Sequence, residues 1–197
     1  IIIDLYDTIF QGDPFISTFP TDTIGVSTET LKIQGSHLEG AKILLGDKLA
    51  MSNCDHRQIV NCGTILGGTK VMLQFLQQFI SMANRLNKND YHALVRTRFP
   101  DQAIVNSLIC GNILTENRIK YRLYNASDEY ITIYKLFRNR NLDFSLGNFI
   151  FQSEEYPLLI HLFDRSRRFC KSVLDSCPPI FEIPNNYNYI RCMNTHR

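Results

Sequence analysis

Two carboxylates stand three residues apart near the start of the chain, in the stretch IIIDLYDTIFQGDPF (1–15). Asp4 ends a run of three isoleucines, and Asp7 follows within one turn. In open α/β sheets, ligands bind beyond the carboxyl ends of strands. A carboxylate pair at such a place is a natural oxygen donor set for a hard cation such as Mg²⁺ or Mn²⁺, with phosphate oxygens completing the shell. The plainer use of the same residues is a turn cap at Asp4 and a solvated Asp7.

A second chemistry begins in a similar way. Phosphatases of the haloacid-dehalogenase type open on an apolar strand followed by Asp-x-Asp-x-Thr/Val, with the first Asp as nucleophile and the second as acid. The spacing here is Asp-x-x-Asp-Thr, so the added residue turns the second carboxylate onto another bearing. No convincing lysine and acidic pair follows downstream to complete that site, and this reading is set aside.

The elements that must position these acids can be read from pattern and punctuation. IIID predicts a buried strand, and Thr8 to Pro20, with Gly12, Asp13-Pro14 and Pro20, a loop. TIGVST (23–28) predicts a second strand, and 39–50 a helix weakened by Gly46. IVNCGTILGG (59–68) is a short apolar run broken by Gly63. From Thr69, as cap, to Leu86, apolar residues from Val71 to Leu86 recur at three- and four-residue spacing, the pattern of a helix facing a core. A polar linker at 87–99 leads to PDQAIVNSLICG, where Asp101 enriches the first turn of a helix burying Ile104, Leu108 and Ile109. Strands are expected at 118–124, 130–137 and 157–164, a short helix at 164–176, and an irregular tail rich in Asn and Tyr from Ile180. This mixture predicts an α/β layered domain.

Composition narrows the function class. The 197 residues carry a formal charge of +2, with 44% apolar and 20% charged residues, and the basic residues are scattered. Nothing in that balance calls for nucleic acid. No run reaches ~18 apolar residues, so no membrane span is expected in this chain. Six cysteines form no CxxC and no Cys/His zinc spacing, and their pairing is left open. Asn125-Ala126-Ser127 is a glycosylation sequon, which does not decide between compartments.

Beyond these local readings, DLYDTIFQGDPF resembles the Asp-x-x-Asp-(apolar)-x-Phe-Gln-x-Asp-Pro-Phe segment of a group of nucleotide-diphospho-sugar transferases with the GT-A fold. VNCGTILGG (60–68) is similar to that group's Asn-x-Gly segment, and PDQAIVNSLI (100–109) to its Asp-Gln-x-x-x-Asn helix. LIHLFDRS (159–166) resembles its His-x-x-Asp-Arg element, and Cys177-Pro178 falls where a Cys-Pro often follows. Tyr6 stands where arginine is common in the group.

The resemblance implies a GT-A-like mixed sheet flanked by helices over 1–178, with an irregular tail at 179–197. It implies sugar transfer, hexosyl or pentosyl, from a nucleotide-diphospho-sugar to a glycan or protein acceptor, assisted by Mn²⁺ or Mg²⁺. Asp4, Asp7 and His161 are then the metal ligands. Asn61 and Gly63 lie along the donor sugar, and Arg165 pairs with the diphosphate. Asp101 and Gln102 face the sugar or acceptor, Asp101 being the candidate base. GT-A folds place their nucleotide-binding strands before the acidic motif, so the chain reads as an N-terminally truncated domain. Its compartment, Golgi lumen or cytoplasm, then depends on upstream sequence. The competing expectation is a non-catalytic GT-A-like remnant that binds carbohydrate or protein.

Overall fold

The glycine that weakens the expected helix at 39–50 divides it in two. Gly46 adopts φ 82°, a left-handed conformation open to glycine, between α1 (Ser36–Leu45) and α2 (Asp47–Asn53). In this computed structural model the described residues are 20–124 together with the strand segments 2–3, 8–10, 131–133, 143–145, 148–150 and 159–161. Contacts divide the chain into two units, Ile1–Ile2 with Ser17–Asn125 and Ile3–Ile16 with Ala126–Arg197.

A mixed four-stranded sheet organises the first unit. Its order is β1 (Ile2–Ile3), β4 (Gln58–Leu66), β3 (Thr23–Lys32), β5 (Lys120–Tyr124). β3 runs antiparallel to β4 and parallel to β5. Ile24, Val26 and Ile65 on these strands join Val71, Met72, Phe75 and Met82 of α3 (Thr69–Asn84) in one buried cluster, which bears out the expected apolar stripe. Thr69 is the first helical residue and not the cap. The cap is Gly68, where any Cβ would run into the backbone carbonyl of Thr21.

The polar linker expected at 87–99 contains a helix, α4 (Lys88–Arg96). Asn87 caps it, its Oδ1 accepting from the backbone N–H of Asn89 at 2.9 Å and of Asp90 at 3.0 Å. Leu94 is its one fully buried residue, so the segment keeps a polar composition while remaining helical. α5 (Pro100–Cys110) begins at the expected place but has almost no solvent face, because Gln102 to Cys110 are all buried. It packs against α1, α2, α3, α4 and the short α6 (Ile113–Glu116), and against β4. Among the described residues, no helix is long and apolar enough to cross a membrane.

The second unit contains a three-stranded sheet in the order β2 (Thr8–Phe10), β9 (Leu159–His161), β6 (Ile131–Ile133). β2 lies antiparallel to β9, and β6 parallel to it. A hairpin of β7 (Asp143–Ser145) and β8 (Asn148–Ile150) stands beside it in sequence. The loop expected from Thr8 therefore starts as a strand. Thr-Ile-Phe suits a pleated surface, but its partner lies some 150 residues away and leaves no local pattern. The expected helix at 164–176, the boundary at 178 and the tail lie outside the described residues.

Two features bear on stability. Cys54 at the end of α2 and Cys110 at the end of α5 form a disulfide across 56 positions of sequence. The loop-entropy relation assigns such a closure roughly 4 kcal/mol. Replacing both cysteines by serine is expected to lower the unfolding free energy by about 2–4 kcal/mol, measured by urea denaturation. The second feature is Gly40 on α1, where an added Cβ would lie 2.7 Å from the Cβ of Ala103 on α5. Alanine in a helix gains about 1 kcal/mol over glycine, whereas overpacking costs about 1–3. Gly40→Ala should therefore destabilise, and adding Ala103→Gly should recover part of the loss. Equal stability of wild type and Gly40→Ala would refute the close approach.

Candidate functional site

Asn61, Cys62 and Gly63 lie where the register between β3 and β4 slips. Val26 pairs with Ile65 and Thr28 with Val60, so Ser27 alone faces the four residues Asn61 to Thr64. The slip reverses further along, where Thr28 pairs with Val60 and Lys32 with Gln58. There Glu29, Thr30 and Leu31 face only Ile59. Two opposed bulges result, one on each strand. Bulges release side chains from the strict up-down alternation and re-aim them. Here they bring Asn61 and Glu29 together, with Asn61 Nδ2 donating to Glu29 Oε1 at 3.2 Å. The Asn61 Oδ1 accepts from the backbone N–H of Gly63 at 2.8 Å, closing a local turn inside the bulge.

α5 supplies the other half of the cluster. Gln102 and Asn106, four residues apart, lie on the same face of the helix. Asn106 Oδ1 accepts from Val60 N at 2.8 Å, while its Nδ2 donates to Val60 O at 2.9 Å and to Gln102 O at 2.7 Å. Gln102 Nε2 donates to Glu29 Oε1 at 2.9 Å and to Val60 O at 3.1 Å. Both backbone groups of Val60 are thus held by side-chain amides. Asn61, Gln102 and Asn106 are 5%, 7% and 2% exposed, so the bonds to Val60 are shielded from water, while those to Glu29 are only partly so.

At the mouth of this cluster stands Asp101, exposed at the start of α5. Its Oδ1 accepts from Gln102 N at 2.9 Å, and its Oδ2 from the Cys62 thiol at 3.4 Å. Cys62 is half-buried and takes no part in the disulfide. Glu29 is also half-buried, and its Oε2 makes no hydrogen bond among the described residues.

Four of the sequence-predicted residues, Asn61, Gly63, Asp101 and Gln102, therefore share one cluster. Gln102 is committed through both of its amide hydrogens, leaving its carbonyl oxygen as the group with no bond among the described residues. Glu29, Asn106 and Cys62 belong to the same cluster without a site role in the sequence reading, although Asn106 is the Asn of the Asp-Gln-x-x-x-Asn segment. Two amides at i and i+4 in an otherwise apolar helix were the available signal for Asn106. Glu29 had no such signal, because its position depends on a bulge. In the second unit, His161 ends β9, with its backbone opposite Thr8 on one side and Ile133 on the other. Asp4, Asp7 and Arg165 lie outside the described residues, as does the side chain of His161. Among the described residues, no three His, Cys, Asp or Glu side chains form a group able to hold a metal ion.

The two kinds of polar contact should respond differently to truncation. Asn106→Leu leaves the buried Val60 N–H without its acceptor and is expected to cost about 3 kcal/mol in urea unfolding. Glu29→Ala removes a half-exposed partner and should cost less than about 1 kcal/mol. A reversed ranking would show that Glu29, not Asn106, anchors the helix. Compared with protein-family models, curated proteins and solved structures, the chain matches none of them.

Proposed function

We propose that the chain is a metal-assisted glycosyltransferase acting on a nucleotide-diphospho-sugar, or the C-terminal portion of one, on a GT-A-like version of its mixed α/β fold. The observation that carries this reading is the register of β2 against β9. His161 lies opposite Thr8, the residue that directly follows Asp7 in sequence. Two carboxylates and an imidazole make a mixed oxygen and nitrogen donor set, which suits Mn²⁺ better than Ca²⁺. Asp4, Asp7 and His161 would hold the cation. When bound, it would disperse the charge that gathers on the departing nucleoside diphosphate.

Taken by itself, the cluster at the two bulges of the first unit has groups of the kind that bind a sugar. It holds a half-buried carboxylate with one open oxygen, Glu29, and an exposed carboxylate, Asp101. Sugar hydroxyls are recognised by such acceptors beside fixed amides. In this assignment Asn61 and Gly63 line the donor sugar, Gln102 orients Glu29, Asp101 is the candidate base, and Arg165 pairs with the diphosphate. The Cys54–Cys110 disulfide suits the oxidising compartment among the two considered, the secretory lumen.

Titration calorimetry of UDP and GDP, with and without Mn²⁺, tests the proposal. Mn²⁺ is expected to tighten binding of one nucleotide at least about tenfold, a difference of ~1.4 kcal/mol. Asp4→Ala and Asp7→Ala should each abolish that enhancement, and His161→Ala should reduce it. Nucleotide binding that is independent of metal and indifferent to Asp4→Ala would remove the assignment.

A further inference from the structure

The C-terminal half of α5 borders a cavity of about 270 Å³ that no part of the proposed transfer uses. Its floor is largely apolar, formed by Ile33, Val60 and Ile109, each buried. Its rim carries Leu123, 43% exposed, and the half-buried Arg57. The volume falls just below the usual range of small-molecule pockets, roughly 300–1,000 Å³.

Arg57 is the unusual feature of this wall. One of its guanidinium nitrogens, Nη1, donates to Ile109 O at 3.4 Å, a long bond to a carbonyl in the last turn of α5. A guanidinium has five N–H donors in a fixed fork. Among the described residues, Arg57, like most of the lysines and arginines, has no carboxylate within ion-pair distance. A partly desolvated cation is thus held at the rim of an apolar cavity by a single weak contact. Two neighbours in the wall are already committed, Asn106 to Val60 and Cys110 to Cys54.

We propose that this cavity binds a small organic carboxylate, its apolar body against Ile33, Val60 and Ile109 and its carboxylate on Arg57. A planar carboxylate matches two N–H groups of the fork. A phosphate dianion is the poorer match, since among the described residues one guanidinium is the single cation in the lining. The hydrocarbon must be compact, and the polar end must face outward, because the buried floor offers little to a second charged group. The site uses none of the residues given a role in the glycosyl transfer, although Val60 and Asn106 of its wall also brace the cluster at the bulges.

Octanoate and 4-phenylbutanoate, each compared with its primary amide, are the probes, followed by NMR titration of the intact chain. At least one acid should bind saturably, about tenfold more tightly than its amide. Arg57→Gln should bring acid and amide to equal affinity, and Arg57→Lys should restore part of the difference. Leu123→Trp, at the exposed rim, should block both acid and amide, and it decides the matter if Arg57→Gln does not fold. No saturable binding, equal binding of acid and amide, or binding untouched by Leu123→Trp would each overturn the proposal.

Discussion

One side chain holds the first unit in register. Asn106 occupies both hydrogen-bonding groups of Val60 with its own amide, much as a neighbouring strand would. Because α5 is buried along nearly its whole length, a misplaced helix would strand polar groups where water cannot reach them. The paired amide therefore specifies where the helix lies, beyond the modest net energy of each bond. Everything that packs on α5 inherits that placement. α1 does so through the close approach of Gly40 and Ala103, and α2 through the disulfide at the far end of the helix.

The same anchoring explains how two opposed bulges can be tolerated in one strand pair. Each slip forfeits regular ladder pairing over several residues. Buried backbone groups left in this way need other partners. Asn106 and Gln102 supply them at Val60, and Asn61 supplies one at Gly63. Once the ladder is satisfied from the side, Glu29 is free to point at the two amides and not along the regular pleat. The polar cluster is thus a consequence of repairing the sheet, and its carboxylate comes with it.

How much of this was legible in the sequence differs from element to element. The α3 stripe and the start of α5 were plain, since apolar spacing and an N-terminal acid are local signals. α4 was hidden because a helix that buries little more than Leu94 carries almost no periodic apolar face. β2 was hidden because three residues show no alternation until their partner, β9, is known. Asn61, Gly63, Asp101 and Gln102 could be named from short motifs, but their meeting depends on a register slip that no motif encodes. Glu29 was invisible for the same reason. The Cys54–Cys110 pair could not be chosen from six cysteines, because it requires knowing that α2 and α5 end side by side.

α5 also gives the first unit two chemically different ends. Its N-terminal turn, where the helix dipole is positive, carries Asp101, and its C-terminal turn, where the dipole is negative, meets Arg57. Each charge therefore has a structural reason to be where it is. What separates them from ordinary helix-end charges is their surroundings. Asp101 opens onto a fixed group of amides and a second carboxylate, while Arg57 stands over an apolar cavity with little else to bind. The helix sets Asp101 and the Ile109 carbonyl that Arg57 meets roughly 12 Å apart along its axis. Val60 and Asn106 lie between them and belong to both, since Val60 floors the cavity and also accepts from Gln102. A shift of α5 along its axis would disturb both ends at once, so the hydrogen bonds that fix its position also fix the distance between them.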